Sequence, residues 1–165
     1  MPNTYTQLYI QFVFAVKHRQ ALIQPAWKTD LYKYITGIVQ GKKSKLLAIN
    51  GMSDHIHIFI GYNPIISIPD LVKDIKLASN NWVNEAKLTK QRFGWQEGYG
   101  AFSYSRSLVH DVSTYIEKQE IHHKKKTFGE EYVAFLKAFE VAYDEKYLFE
   151  FFDNVCSTPA ELERR

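Results

Sequence analysis

The chain has 165 residues, a length that suits one compact domain with a real hydrophobic core. Apolar residues make up 45% and charged residues 24%, as in ordinary globular proteins, and the net charge of +3 permits a polyanionic partner without demanding one. One cysteine, Cys156, excludes an intramolecular disulfide and any zinc site built on several cysteines.

Residues 5–16 alternate, with Leu8, Ile10, Phe12, Phe14 and Val16 on one face and Gln7, Tyr9 and Gln11 on the other. This period predicts a strand buried on at least one side. Pro25 opens a helix in which Trp27, Leu31, Tyr34, Ile35 and Ile38 keep helical spacing. Gly41 and the cations Lys42, Lys43 and Lys45 close it. Residues 46–50 and 55–62 predict two strands joined by a turn at 51–54, a hairpin ended by Asn63-Pro64. Pro69 starts a second helix with the stripe Leu71, Val72, Ile75, Ala78, Trp82, Val83 and Ala86.

Residues 94–100 read as an aromatic, glycine-rich loop, and 101–106 as a short strand. Ser107 is suited to cap a third helix that runs to about His123 and carries Val112, Tyr115, Ile116 and Gln119. Residues 129–143 predict a further short helix. One domain is expected over 1–147, followed by a tail, 148–165, with no assigned role. The N-terminus lacks a basic stretch followed by an apolar one, and no apolar run is long enough to span a bilayer, so a cytoplasmic protein is expected.

The order β-α-β-β-α-β, followed by helices, is the ferredoxin-like arrangement. It predicts an α+β fold: an antiparallel sheet with helices on one face, plus a C-terminal helix that carries Tyr115. Fold alone does not specify chemistry.

Asp54-His55-Ile56-His57-Ile58-Phe59-Ile60 is the most informative segment. Alternation puts Ile56, Ile58 and Ile60 on one face and His55 and His57 side by side on the other. Two imidazoles so placed can hold one cation, and can equally be structural strand histidines. Tyr115 and Gln119 stand one helical turn apart. Glutamine offers a hard carbonyl oxygen, and tyrosine a phenol that is nucleophilic once deprotonated. Neither residue is diagnostic by itself. His122, His123 and the run Lys124-Lys125-Lys126 follow, a cationic cluster that suits either a solvated helix end or phosphate contacts.

Together these residues resemble the single-tyrosine HUH transposases, the TnpA-type enzymes of the smallest bacterial insertion sequences. His55-Ile56-His57 is the His-hydrophobic-His triplet, and residues 51–57, 69–76, 93–103 and 115–123 are similar to family segments in the expected order. The resemblance runs from about Tyr5 to Tyr147. It implies that His55, His57 and Gln119 hold a divalent cation, Mg2+ or Mn2+, and that Tyr115 is the nucleophile. The implied reaction cuts and rejoins single-stranded DNA at element ends through a 5′-phosphotyrosine. The implied partners are DNA hairpins and a second copy of the chain, in a homodimer with composite sites.

Candidate DNA contacts are Lys42, Lys43, Lys45, Lys73, Lys76, Arg106, Lys124, Lys125 and Lys126. The rival readings are a domesticated nuclease that cuts repeat-associated hairpins and a non-catalytic nucleic-acid-binding module. A zinc hydrolase ranks low, because no third His, Cys or carboxylate stands at the usual spacing.

Overall fold

The computed structural model describes residues 3–124 and 127–144. The tail at 148–165, Lys125 and Lys126 lie outside the described residues. Four strands form the sheet: β1 (Tyr9–Ala15), β2 (Lys45–Gly51), β3 (His55–Gly61) and β4 (Gly100–Tyr104). They lie in the order β2-β3-β1-β4, and every neighbouring pair is antiparallel. Helices α1 (Pro25–Gly41) and α2 (Ile68–Glu85) provide the two crossovers. The expected α+β, ferredoxin-like sheet is therefore present.

The first layer follows from alternation. Ile10, Phe12 and Phe14 of β1 and Ile56, Ile58 and Ile60 of β3 turn toward α1 and α2 and are buried with Leu31, Ile35, Leu71 and Ile75. A fully buried side chain of this size contributes roughly 1.5–3 kcal/mol. Pro69 stands in the first turn of α2 as expected, and the Ser67 hydroxyl accepts from the Asp70 amide to cap it.

Helices cover the second face as well, which corrects the expectation of helices on one face. α3 (Val109–Glu117) packs Val112 and Ile116 on Ala48 and Phe59. The single turn α4 (Gln119–His122) follows it, and α5 (Phe128–Ala138) packs Phe128, Tyr132 and Leu136 on Val13, Ala15 and Phe102. These strand residues are apolar on the side opposite the first core, so both faces of the sheet need cover.

The third helix also differs from its expected form. Ser107 lies within a short turn at Arg106–Leu108, and α3 begins beyond it with no side-chain cap. The helix breaks at Lys118 (φ −98°, ψ 25°), where α4 begins. Asn50 of β2 donates to the Glu117 carbonyl at 3.1 Å, satisfying a terminal carbonyl of α3 from the sheet. α5 opens with a reciprocal capping box between Thr127 and Glu130. No helix among the described residues is long and apolar enough to cross a membrane.

Candidate metal and tyrosine site

His55 and His57 project side by side from β3 toward the second face, with ring centroids 5.3 Å apart. Their partners across the β1 ladder are Ala15 and Val13. Small neighbours leave room above the sheet for the two rings, and helices then seal that space until neither histidine is exposed.

The ring nitrogens have distinct tasks. His55 Nδ1 lies 2.7 Å from the Asp54 carboxylate and donates to it. This fixes the tautomer and turns the Nε2 lone pair inward, where Nε2 is buried without a hydrogen-bond partner. His57 accepts from the Gln11 amide at Nδ1 (2.8 Å) and donates from Nε2 to Glu131 Oε1 (2.9 Å). Gln11 is held in turn by the Tyr104 hydroxyl, which donates to its Oε1 at 2.8 Å.

Glu131, from the first turn of α5, is the centre of the cluster. Its Oε1 lies 2.9 Å from His57 Nε2, 3.4 Å from His123 Nε2 and 3.8 Å from His55 Nε2. Its other oxygen accepts from the Tyr115 hydroxyl. Gln119 is fully buried, and its Oε1 accepts from His123 Nε2 at 3.0 Å. His55, His57, His123 and Glu131 each present one ligand atom, all within 4.8 Å of one another.

Electrostatics agree with a cation site. Burial outweighs the bond to Asp54 and lowers the His55 pKa to about 4, which keeps the ring neutral and able to ligate near pH 7. For Glu131 burial works the other way, but hydrogen bonds from His123, His57 and Tyr115 together hold its carboxyl well below the usual range. The Tyr115 phenol is pushed up by burial and by the neighbouring Glu131 carboxylate. The orphaned His55 nitrogen and the buried carboxylate fit a divalent cation, and this group of three histidines and one glutamate can bind one.

The structure brings together His55, His57, Tyr115 and Gln119, the four site residues singled out in the sequence. Sequence reasoning does not assign His123 and Glu131 as donors, nor Gln11 as a support. It ranks the zinc reading low for want of a third donor, and folding supplies two. One sequence signal is available for Glu131. It falls on the apolar stripe Phe128, Tyr132, Phe135 and Leu136 of α5, where a carboxylate needs a reason.

Among the described residues, Lys124 follows His123 of the cluster, and the other predicted basic residues lie elsewhere. Lys45 pairs with Gly61 at the sheet end opposite His55, and Arg106 follows β4 at that same end. Lys42 pairs with Asp74 at 2.9 Å, and Lys43 turns the chain with a positive φ of 61°. Lys73 and Lys76 line a groove of about 550 Å³ with Trp95 and Tyr99. Lys76 donates to the Gln96 carbonyl at 2.7 Å and to that of Gly98, and burial lowers its pKa to about 8.

Fold and site together define an α+β domain whose sheet presents paired histidines to a tyrosine on a following helix. The sequence profile of the IS200-like transposases matches residues 4–119, more than half of the chain. The chain belongs to that family, as a transposase of the TnpA type. It is 25% identical over 118 residues to the ISDra2 transposase TnpA of Deinococcus radiodurans, covering 68% of this chain and 84% of that one.

Two solved structures share the fold. A protein described as a putative transposase from D. radiodurans R1 superposes with a TM-score of 0.58 at 24% identity, over 71% of this chain and 94% of that one. A REP-associated tyrosine transposase bound to a REP hairpin superposes with a TM-score of 0.55 at 14% identity, over 73% and 72%.

Proposed function

We propose that this protein cuts and rejoins single-stranded DNA, with Tyr115 as nucleophile and His55, His57 and Gln119 as ligands of Mg2+ or Mn2+. The observation that carries the reading is the hydrogen bond from the Tyr115 hydroxyl to Glu131, the carboxylate that also meets His57. A structural tyrosine has no need to sit in a cation cluster. A bound cation supplies Lewis-acid polarisation of the scissile phosphate.

The chain's own residues do the rest. His55, buried and held by Asp54, gives a fixed nitrogen donor, and His57 gives a second when its Nε2 proton moves to Nδ1 and the Gln11 amide turns its oxygen to accept it. Tyr115 attacks phosphorus: the phenol gives its proton to the Glu131 carboxylate that it meets, a phenolic O–P bond forms, the P–O3′ bond breaks, and the departing 3′ oxygen takes up that proton. The phosphotyrosine conserves the bond energy, so a 3′-OH can reverse the step without ATP. Helices α3 and α5 exclude bulk water from the cluster, which protects that linkage from hydrolysis.

The substrate is folded single-stranded DNA with hairpins near the cut. The family and the hairpin bound by the REP-associated relative support this class. Lys42, Lys43, Lys45, Lys73, Lys76, Arg106, Lys124, Lys125 and Lys126 are the proposed phosphate contacts. The wide placement of those among the described residues suits a strand that wraps the domain more than one that enters a single cleft. A homodimer is part of the proposal, although Tyr115 here stands by His57 of its own chain, with ring centroids 6.4 Å apart. Mixing Tyr115→Phe with His57→Ala subunits separates the cases: recovered activity means that tyrosines are exchanged.

The test is a covalent adduct. Hairpin-bearing single-stranded DNA with Mn2+ should give a protein–DNA species that Tyr115→Phe abolishes. Tight DNA binding with no adduct in Mg2+ or Mn2+ would overturn the enzymatic reading. The cluster of three histidines and one glutamate favours one second reading, a zinc hydrolase. It predicts that Zn2+ supports cleavage in Tyr115→Phe, because water replaces the phenol.

A further inference from the structure

Glu131 lies beyond residues 4–119, the span that matches the family profile. It is 3% exposed, and its Oε1 faces the ring nitrogens of three histidines. A buried carboxylate held only by imidazoles and the Tyr115 hydroxyl lacks a full counter-charge. His55 Nε2, 3.8 Å away, is buried and has no hydrogen-bond partner. One positive ion shared by both would satisfy the carboxylate and the nitrogen together.

We propose that Glu131 is a further ligand of the divalent cation, delivered by α5 of the same chain, and that its second oxygen holds Tyr115 beside that cation. The proposal rests on the site reading above. Three observations carry it. Glu131 Oε1 is near both strand histidines, at 2.9 Å and 3.8 Å from their Nε2 atoms. Oε2 remains with Tyr115, so one side chain can serve cation and nucleophile at once. The carboxylate also comes from a rigid element, since α5 is packed on Val13, Ala15 and Phe102 and is closed at its start by the capping box.

The charge balance is sensible too. His55, His57 and Gln119 are neutral donors, whereas Glu131 brings the negative charge that hard cations prefer. Four protein ligands leave two positions of an octahedron for water and a phosphate oxygen. Gln119 and His123, bonded at 3.0 Å, position one another beside the carboxylate.

The experiment follows Mn2+ binding to the full chain by loss of the free-ion EPR signal, with a thermal melt to confirm folding of each variant. Wild type should bind Mn2+, His57→Ala should lose it, and Glu131→Gln should bind at least about tenfold more weakly while staying folded. Glu131→Gln binding within about twofold of wild type, with His57→Ala still deficient, would overturn this proposal and leave the site reading standing. No binding by wild type would overturn both. If the glutamine variant does not fold, infrared difference spectra of 13C-glutamate-labelled wild type decide the matter. A shifted carboxylate band on Mn2+ addition supports the proposal, and an unchanged carboxylate region overturns it.

Discussion

His55 shows how a single residue is set by its immediate neighbours. Asp54 fixes its Nδ1, burial keeps it neutral, and Gly51 lets the hairpin close behind it. A Cβ at Gly51 would overlap the His55 carbonyl oxygen and lie 2.9 Å from Ile56 Cα. Those atoms are backbone and cannot rotate away. Gly51→Ala should therefore cost about 1–3 kcal/mol in urea unfolding and weaken metal binding as well. A fully stable alanine variant would show that the turn yields more readily than this contact implies. The same region shows what composition can suggest: Gln11 lies on the polar face read from β1, but only its contact with His57 Nδ1 gives it a task.

At the scale of the element, β3 carries two functions on two faces. Its isoleucines anchor the first core and its histidines form the site. Ile58→Ala should cost about 2–5 kcal/mol, the usual loss for a buried aliphatic residue, as read by denaturant melts. Because Ile58 faces away from the histidines, Mn2+ affinity should stay nearly unchanged below the melting transition. α5 has the complementary dependence, since its start fixes Glu131. Thr127→Ala removes the capping box and should cost about 1 kcal/mol. That loss should come with weaker Mn2+ binding, which a purely structural cap would not cause. The break at Lys118 places Gln119 on a new turn, so Tyr115 and Gln119 meet the cluster from two short elements instead of one continuous helix.

Across the whole molecule, the cluster couples stability to pH. The folded pKa of His55, about 4, lies below the unfolded value of about 6.5. Between these values the unfolded chain binds the extra proton, so stability falls as pH drops from about 6.5 to about 4. The loss from His55 alone should reach about 2 kcal/mol at about pH 5. Glu131, held below the ordinary carboxylate range, adds loss in the same direction at lower pH. Melts in chelator should show a lower Tm at pH 5 than at pH 7, and a flat profile would contradict a buried neutral His55. Mn2+ at about a hundred times its Kd should stabilise the fold by about 2.7 kcal/mol near neutrality, and less in acid, where protons compete for the ligands.

What the amino-acid order determined by itself is whatever depends on local period and local chemistry. Alternation in β1 and β3 specified the strands and set His55 beside His57. Pro25 and Pro69 marked the helix starts, and the succession of elements implied the split antiparallel sheet. Tyr115 and Gln119 were legible because they lie about one helical turn apart. Tertiary structure decided the rest. The second face of the sheet acquired its own helices, because Val13, Ala15, Phe59 and Phe102 are apolar there and cannot remain in water. That packing carried Glu131 across 74 residues of sequence to His57, and set His123 against Gln119. No local period encodes such a meeting. It follows from which helix covers which strand residues, and it turns two strand histidines into a four-donor cluster wired to a tyrosine.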